Sequence, residues 1–334
     1  MNLFITGASG FLGKHLINEL VDHYETIYVL TRKTEIKEFE KYKNIFLLKG
    51  DITNPNIFED LKNLNLVAEN CQHIIHAAAL YEMNAFHEDC YLQNVVGTQN
   101  IIYLARTCKK LNSLYYISTI AVADNSIHFL EENSLPKGLK FNDHYSKTKY
   151  LAEKMLRDHF HLLNCNLRII RPGIIVGDSK TGKIDKVDGP YFFINAIKKY
   201  QKYLSSIAIV PLSFNPLTRI PMIPVDHCAN LISLIIKRDN SSQYIKTFHL
   251  ISDEIPTIQD FLEDLCRIYN LKIKFFPISA NLISNTIFKA MGIPEEVIPF
   301  MFSKITYDKT LTNNELPEIF LSKYSQYKKS LLKK

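Results

Sequence analysis

The stretch Asn2-Leu-Phe-Ile-Thr-Gly-Ala-Ser-Gly-Phe-Leu-Gly13 constrains this chain more than any other. Leu3, Phe4 and Ile5 form an apolar run long enough for a buried strand. Gly7, Gly10 and Gly13 follow at three-residue spacing. Leu12, Leu16 and Leu20, with Ile17 and Val21, then recur at helical steps. A strand, a glycine turn and a helix start together make a phosphate site, because unpaired backbone N–H groups and the positive end of the helix dipole converge there. Glycine lets the backbone turn sharply and a pyrophosphate come close. The spacing is Gly-x-x-Gly-x-x-Gly, not the Gly-x-Gly-x-x-Gly of the common dinucleotide fingerprint. The reading therefore rests on the strand before it and the helix after it.

Strands and helices alternate through the first half. Thr26–Thr31, Ile45–Leu48, His73–Ala79, Ser113–Ser118 and Asn166–Arg171 read as the second to sixth strands, with helical stretches at Tyr91–Lys110 and Tyr145–Leu163. That alternation predicts an α/β fold, a Rossmann-like doubly wound parallel sheet, with ligands at the carboxyl ends of its strands. Residues 177–221 show little clear period. Asp226 reads as the N-cap of a helix through Lys237, Thr247–Ile251 as a strand, and Thr257-Ile-Gln-Asp260 as a capping box for a helix to about Tyr269. Residues 279–304 read as two helices broken at Gly292 and Pro294. The expected division is a dinucleotide-binding domain over 1–176, rejoined by 222–251, and a smaller substrate-binding part from 177–221 and 252–334.

A chain of 334 residues, 46% hydrophobic and 22% charged, is long enough for a sizeable core and ordinary in composition. The net charge of +6 suits acidic ligands such as phosphates and is too small to argue for nucleic acid. Six scattered cysteines without a Cys-x-x-Cys pair predict free thiols, no disulfide framework, no metal site and a cytoplasmic setting. The chain opens on a strand rather than a signal peptide, and no apolar run approaches the roughly 20 residues of a membrane span. Lys328, Lys329, Lys333 and Lys334 read as a solvated tail in preference to a weak membrane contact.

The usual fingerprint places a carboxylate about 20 positions past the glycines, on the ribose 2′-hydroxyl of NAD. Here the second strand ends Leu30-Thr31-Arg32-Lys33, a cationic pair suited to the 2′-phosphate of NADP. Glu35 nearby keeps NAD as the lesser alternative. Asp51, in Gly50-Asp51-Ile52, stands where it accepts from an adenine amino group or closes an Asx-turn. His76 reads as a satisfied core histidine, and the small residues Ala77, Ala78 and Ala79 let the backbone lie against a dinucleotide.

Tyr145 and Lys149 lie four apart at the start of a helix and share a face. Free tyrosine, with a pKa of about 10, is a poor acid–base catalyst at neutral pH, and a lysine cation one turn away stabilises the phenolate. Ser118 and Thr119 end the fifth strand, where a hydroxyl reaches the same carbonyl oxygen.

With Thr6-Gly-x-x-Gly-Phe-Leu-Gly13, His76-Ala-Ala-Ala79, Asn94-Val-Val-Gly-Thr98, Ile117-Ser-Thr119, Tyr145-x-x-x-Lys149 and Arg171-Pro-Gly173, the chain resembles an extended short-chain dehydrogenase/reductase. The resemblance covers residues 1 to about 250. It implies Tyr145 as the acid or base, Lys149 on the nicotinamide ribose, Thr119 polarising the carbonyl with Ser118 as fallback, and Asn94 supporting the lysine through water. Gly7, Ser9, Gly10, Phe11, Leu12 and Gly13 would hold the pyrophosphate, and Pro172 and Gly173 would lie beside the nicotinamide. Arg171-Pro-Gly-Ile-Ile-Val-Gly-Asp-Ser-Lys-Thr-Gly182 and Ile184-Asp-Lys-Val-Asp-Gly-Pro-Tyr191 resemble, more narrowly, the thioester reductase and fatty acyl-CoA reductase branch. That branch implies NADPH-dependent reduction of an acyl thioester, as acyl-CoA or on a carrier protein, to an aldehyde and in some members the alcohol. A homodimer through two helices of the sheet domain is a further implication. Phe192, Phe193 and the apolar residues after 279 read as core or as the wall of an acyl tunnel. Two other readings stay open: a nucleotide-sugar epimerase or dehydratase or 3β-hydroxysteroid dehydrogenase on the same scaffold, and a non-catalytic dinucleotide-binding sensor.

Overall fold

The computed structural model describes residues 1–333 apart from 82–84, 186, 188, 240–243, 280–287 and 290. The first half runs β1 (Asn2–Thr6), α1 (Phe11–Leu20), β2 (Thr26–Thr31), β3 (Ile45–Lys49), α2 (Leu61–Asn70), β4 (His73–His76), α3 (Gly97–Thr107), β5 (Ser113–Ile117) and α4 (His144–His159). The second half adds β6 (Asn166–Pro172), α5 (Pro190–Leu204), α6 (Val225–Arg238), β7 (Ile245–Leu250), α7 (Ile258–Ile268), α8 (Thr310–Glu315) and α9 (Tyr324–Leu332). The seven strands form one sheet in the order β7-β6-β5-β4-β1-β2-β3. Every pairing is parallel. The order reverses between β1 and β4, which opens a crevice at the carboxyl ends of those two strands.

Leu3, Phe4 and Ile5 are fully buried because helices cover both sheet faces. On one face, Leu16, Ile17 and Leu20 of α1 share a core with Ile232 and Ile235 of α6. On the other, Val67 of α2, Ile101 and Leu104 of α3 and Leu156 of α4 pack together. A third core lies outside the sheet. It joins Phe193, Ile194 and Ile197 of α5 to Phe261, Leu262 and Leu265 of α7 and to Tyr324, Tyr327 and Leu331 of α9. Short parallel pairs lead into it: Ile174–Val176 with Met222–Pro224, and Ile209–Ser213 with Lys274–Ile278.

Several local expectations change. The fourth strand stops at His76, and Ala77–Ala79 are irregular backbone. The aperiodic stretch 177–221 contains the 15-residue helix α5, started by Pro190 in its first turn. Proline there gives up an N–H that has no helical partner, so it begins the helix instead of breaking it. Asp226 lies in the first turn of α6 and is not its cap. Its carboxylate accepts from the backbone N and the Oγ of Ser179, at 2.9 and 2.6 Å. Thr257 and Asp260 do form the capping box of α7. Phe288, Lys289 and Met291 are helical and Glu295–Phe302 is a 3₁₀ helix, while much of the first helix expected from 279 lies outside the described residues. Lys328 is not a free tail residue, because its Nζ pairs with Asp264 at 2.9 Å. Among the described residues no helix is long and apolar enough to cross a membrane, and all six cysteines carry free thiols.

The turn after β1 leaves no room for side chains. A Cβ on Gly13 would lie 2.1 Å from the Gly7 carbonyl oxygen, whereas one on Gly10 would meet the same oxygen at 3.3 Å. Gly13→Ala is expected to cost about 1–3 kcal/mol of stability through overpacking against backbone, and Gly10→Ala markedly less. Urea denaturation of the two variants checks the order, and equal losses contradict it.

Candidate active site

Each side of the site starts from a strand end. After β1, Gly7 takes φ +75°, and a Cβ there would strike the Ala77 and Ala78 backbone at 2.5–2.7 Å. Gly10 stands as N-cap of α1 in extended backbone, and no side chain caps its first turn. The first N–H groups of α1 therefore have no side-chain acceptor, and bare backbone surrounds them. That is the cradle a pyrophosphate requires, so the residues present fit a dinucleotide.

A chain of hydrogen bonds sets the β4 side. The Ala78 N–H donates to Thr6 Oγ1 (3.3 Å), which lies 2.8 Å from His76 Nδ1. His76 Nε2 lies 3.1 Å from Thr98 Oγ1, whose hydroxyl donates to the Asn94 carbonyl (2.6 Å). Since Thr98 spends its proton on Asn94, His76 donates from Nε2 and accepts at Nδ1 from Thr6. Burial pulls the imidazole down to about 3, with the Lys149 charge adding to the effect, which keeps it neutral as that pattern demands. His76 is a satisfied core histidine.

Asn94 sits in a π-helical turn, Tyr91–Val96, that runs into α3. Its Oδ1 accepts from Leu80 N (2.8 Å), and its Nδ2 donates to Leu80 O (3.2 Å) and Thr148 Oγ1 (3.0 Å). Asn94 thus pins the β4 loop to α4 from behind the cavity wall. Such a π turn is a common feature of functional sites.

α4 begins where Asp143 accepts from Ser146 N at 2.7 Å. That cap places Tyr145 in the first turn and Lys149 in the second. Lys149 is 2% exposed. Its ammonium donates to the Ile117 carbonyl at 2.6 Å and lies 4.3 Å above the centre of the Tyr116 ring. Burial lowers the Lys149 pKa to about 7, against the opposing charge of Glu153. Tyr145 is half-buried, and the edge of the Tyr81 ring meets it at 4.5 Å between centres.

The two hydroxyls that end β5 differ. Ser118 Oγ donates to Glu153 Oε2 at 2.6 Å and is committed to that carboxylate. Thr119 Oγ1 accepts from Ala121 N at 3.1 Å, which leaves its own proton to donate. Geometry thus distinguishes the two where their positions in sequence do not.

The glycine turn, Ala77, Ala79, Thr119, Tyr145, Lys149, Pro172 and Gly173 all border one cavity of about 710 Å³. Ser9, Phe11 and Leu12 border it beside the turn, and Ser118 beside Thr119. Its far wall is apolar: Phe193, Phe261, Leu262, Val297, Met301 and Ile305. Phe193 belongs at once to this wall and to the third core, while its neighbour Phe192 packs only against that core.

Arg32, Lys33, Asp51 and Ile52 do not border the cavity; they follow the ends of β2 and β3. The Arg32 side chain is 73% exposed, with its guanidinium 3.8 Å from Asp51. Asp51 closes an Asx-turn by accepting from the N and Oγ1 of Thr53, both at 2.9 Å. Ile52 is buried, and its carbonyl accepts from Asn100 at 2.7 Å. Reading the sequence missed Glu153, although it stands four residues after Lys149 and continues the stripe that Tyr145 begins. Of the apolar wall, Phe193 and the residues after 279 read as core or tunnel wall, whereas Phe261 and Leu262 of α7 were missed.

Residues 5–232 match an NAD-binding family model described as male sterility protein. The NRPS-like oxidoreductase fscA of Fusarium equiseti is 25% identical over 239 residues, covering 65% of this chain and 22% of fscA. Fatty acyl-CoA reductase 1 of Xenopus laevis is 25% identical over 242 residues, covering 57% of this chain and 46% of the relative. The chain thus spans less than half the length of either relative. The terminal R domain from the myxalamid PKS-NRPS biosynthetic pathway has the same fold, with a TM-score of 0.77 at 22% identity over 99% of this chain and 90% of that one. The glycine cradle, the parallel sheet and this match over more than half of the chain place it in the male sterility protein family of NAD-binding domains, within the extended short-chain dehydrogenase/reductase superfamily.

Proposed function

We propose that this chain is an NADPH-dependent reductase of acyl thioesters, with residues 1–176 and 222–251 holding the cofactor and 177–221 and 252–334 the acyl group. The observation that carries this reading is the single cavity. One end is bare glycine backbone, the middle has Thr119, Tyr145 and Lys149, and the other end is apolar. An acyl chain needs apolar wall beyond its carbonyl and few polar partners, as small-molecule sites usually offer. The fatty acyl-CoA reductase and NRPS-like relatives support a thioester in place of a sugar or sterol. The thioester would arrive as acyl-CoA or on a carrier protein.

The glycine turn would hold the cofactor, whose chemistry there would be hydride donation to the thioester carbonyl carbon. Thr119 and Tyr145 donate hydrogen bonds to the carbonyl oxygen, which gains negative charge as the carbon becomes tetrahedral. Tyr145 passes its proton to that oxygen, and the Lys149 ammonium stabilises the phenolate left behind. The C–S bond then breaks, the oxygen returns its proton to the Tyr145 phenolate, the sulfur leaves as a thiolate that takes a proton from water, and an aldehyde remains. Replacing a thioester carbonyl by an aldehyde consumes one hydride and one proton, and the thiol carries the proton away.

Incubation with NADPH and a panel of acyl-CoAs, steroids and UDP-sugars tests the substrate class, read by loss of nicotinamide absorbance and by product mass. Oxidation of NADPH with acyl-CoAs alone is the expected result, and turnover of a sugar or sterol overturns it. Tyr145→Phe is expected to lower kcat by about 10²–10⁴, the usual worth of a positioned acid, with NADPH binding retained. Arg32→Ala is expected to weaken NADPH about tenfold and NADH hardly at all, because Arg32 is proposed to grip the 2′-phosphate. Equal loss of both cofactors removes that assignment. Lys149 is charged below its pKa of about 7 and neutral above it. The kcat/KM for NADPH, which reports free enzyme, should therefore fall as pH rises through about 7. A profile level up to about 10.4, the range of an unburied lysine, contradicts it.

A further inference from the structure

Glu153 is fully buried on α4, one turn beyond Lys149 as Lys149 is one turn beyond Tyr145. Its carboxylate is saturated. Oε2 accepts from Ser118 Oγ (2.6 Å) and Arg171 Nε (3.0 Å), and Oε1 from Arg171 Nη2 (2.5 Å) and Arg157 Nε (2.9 Å). Two of these partners, Ser118 and Arg171, sit next to residues on the cavity. Ser118 precedes Thr119 at the end of β5, and Arg171 precedes Pro172–Gly173 at the end of β6. The two strand ends are also neighbours, through Ser118 N donating to Ile170 O at 2.6 Å.

Resting on the reductase reading above, we propose that Glu153 is a positioning residue for hydride transfer: its carboxylate ties the ends of β5 and β6 to α4, so that Thr119 and Gly173 stand in fixed register with Tyr145, and it serves as the buried counter-ion of Lys149. One guanidinium fork and two single donors meet in this carboxylate. The bidentate Arg171 guanidinium is planar, so it fixes the carboxylate in two directions. Ser118 then has one acceptor and one rotamer, and the backbone between Ile117 and Thr119 is held at both ends, by Lys149 on the Ile117 carbonyl and by Glu153 on the Ser118 hydroxyl.

The charges facing Glu153 are Arg171 on β6 and Arg157 and Lys149 on α4, and both Glu153 and Tyr145 act on the Tyr116 hydroxyl of β5, which burial first and their charges next push up. Behind Arg171 lie His249 of β7, 3.1 Å from its Nη1, and the carbonyls of Glu131, Glu132 and Ser134. Burial drives the His249 imidazole down to about 3, with the Arg171 charge assisting, so it adds no charge near neutrality. Burial alone would raise the Glu153 carboxyl; Arg171, by charge and hydrogen bond, with Arg157 and Ser118, outweighs it and holds the group at about 2. Glu153 is thus an anion at every working pH, and its field opposes the burial that strips Lys149 of its proton.

Glu153→Gln keeps shape and removes the charge, and Glu153→Asp keeps the charge and shortens the reach. NADPH binding is followed by fluorescence across pH, and kcat is measured with whichever acyl-CoA the wild type reduces. For Glu153→Gln the inflection of binding with pH should move about one unit below the wild-type value, because Lys149 loses its counter-ion. Its kcat at neutral pH should fall about tenfold or more. For Glu153→Asp the inflection should stay and kcat should still fall. A Glu153→Gln protein with the wild-type inflection overturns the proposal, whatever its melting temperature, since a purely structural carboxylate has no reason to tune Lys149. If Glu153→Gln does not fold, a Glu153→Asp protein with wild-type kcat overturns it. A wild type that binds NADPH and reduces no thioester defeats the reductase reading alone, while the binding inflection still decides the role of Glu153.

Discussion

A lysine ammonium almost sealed from water governs how this site is put together. Removing such a charge from water costs several kcal/mol unless partners replace the lost hydration. Lys149 has the Ile117 carbonyl at 2.6 Å, the face of Tyr116 beneath it and the Glu153 carboxylate one turn on. Those partners come from two elements, so β5 and α4 have one workable register. With that register set, the helix geometry puts Tyr145 one turn earlier on the same face, half-buried, on the cavity that Thr119 also borders. The pairing of phenol and ammonium is therefore a consequence of where the ammonium can be tolerated.

The same logic extends across the crevice. β1, β4, the π turn and α4 are joined by a line of hydrogen bonds through Thr6, His76, Thr98 and Asn94. The Thr98 hydroxyl is spent on the Asn94 carbonyl, which fixes the histidine tautomer and allows no charge on the ring. Ala77 and Ala78 close over Gly7 at distances that exclude any side chain there. The glycine turn, the alanines and the buried network are thus parts of one packing problem, in which backbone is brought to the surface of the crevice with nothing in front of it.

Much of the sheet half was legible in the sequence because parallel strands covered on both faces read as unbroken apolar runs, and glycine spacing reports backbone geometry directly. Thr26–Thr31 has the same bounds in the structure as in the sequence reading, and the α7 capping box was visible in Thr257 and Asp260. α5 was hidden because Pro190 looks like a breaker and its Tyr and Phe residues suit a loop or a core equally well. Asp226 looked like a cap because the helix pattern begins beside it, yet its carboxylate is spent on Ser179, a contact 47 residues away in sequence. Spacing alone also cannot separate Ser118 from Thr119. What separates them is a carboxylate 35 residues further on that takes up one hydroxyl and not the other.

For a topological reason, the apolar end of the cavity is only partly legible in the sequence, where Phe193 and the residues after 279 suit core or wall alike. The chain leaves the sheet after β6 through Gly173, where a Cβ would lie 2.5 Å from the Pro221 carbonyl oxygen. Ile174–Val176 and Met222–Pro224 pair in parallel beside it, so the outgoing and returning chain run side by side at the edge of the crevice. α5 between them, and α7 and α9 after β7, fold against one another in a core outside the sheet, while Leu316 and Ile319 return to the sheet face. The wall is accordingly drawn from α5, α7 and the segment 297–307, which no local period relates. A fixed reactive centre with a wall built from independent segments lets the wall change its shape while Lys149, Glu153 and the glycine turn keep theirs. That separation is how one sheet scaffold can serve several substrates, because the groups that must be buried and paired lie on one side of Gly173 and the groups that need only be apolar lie on the other.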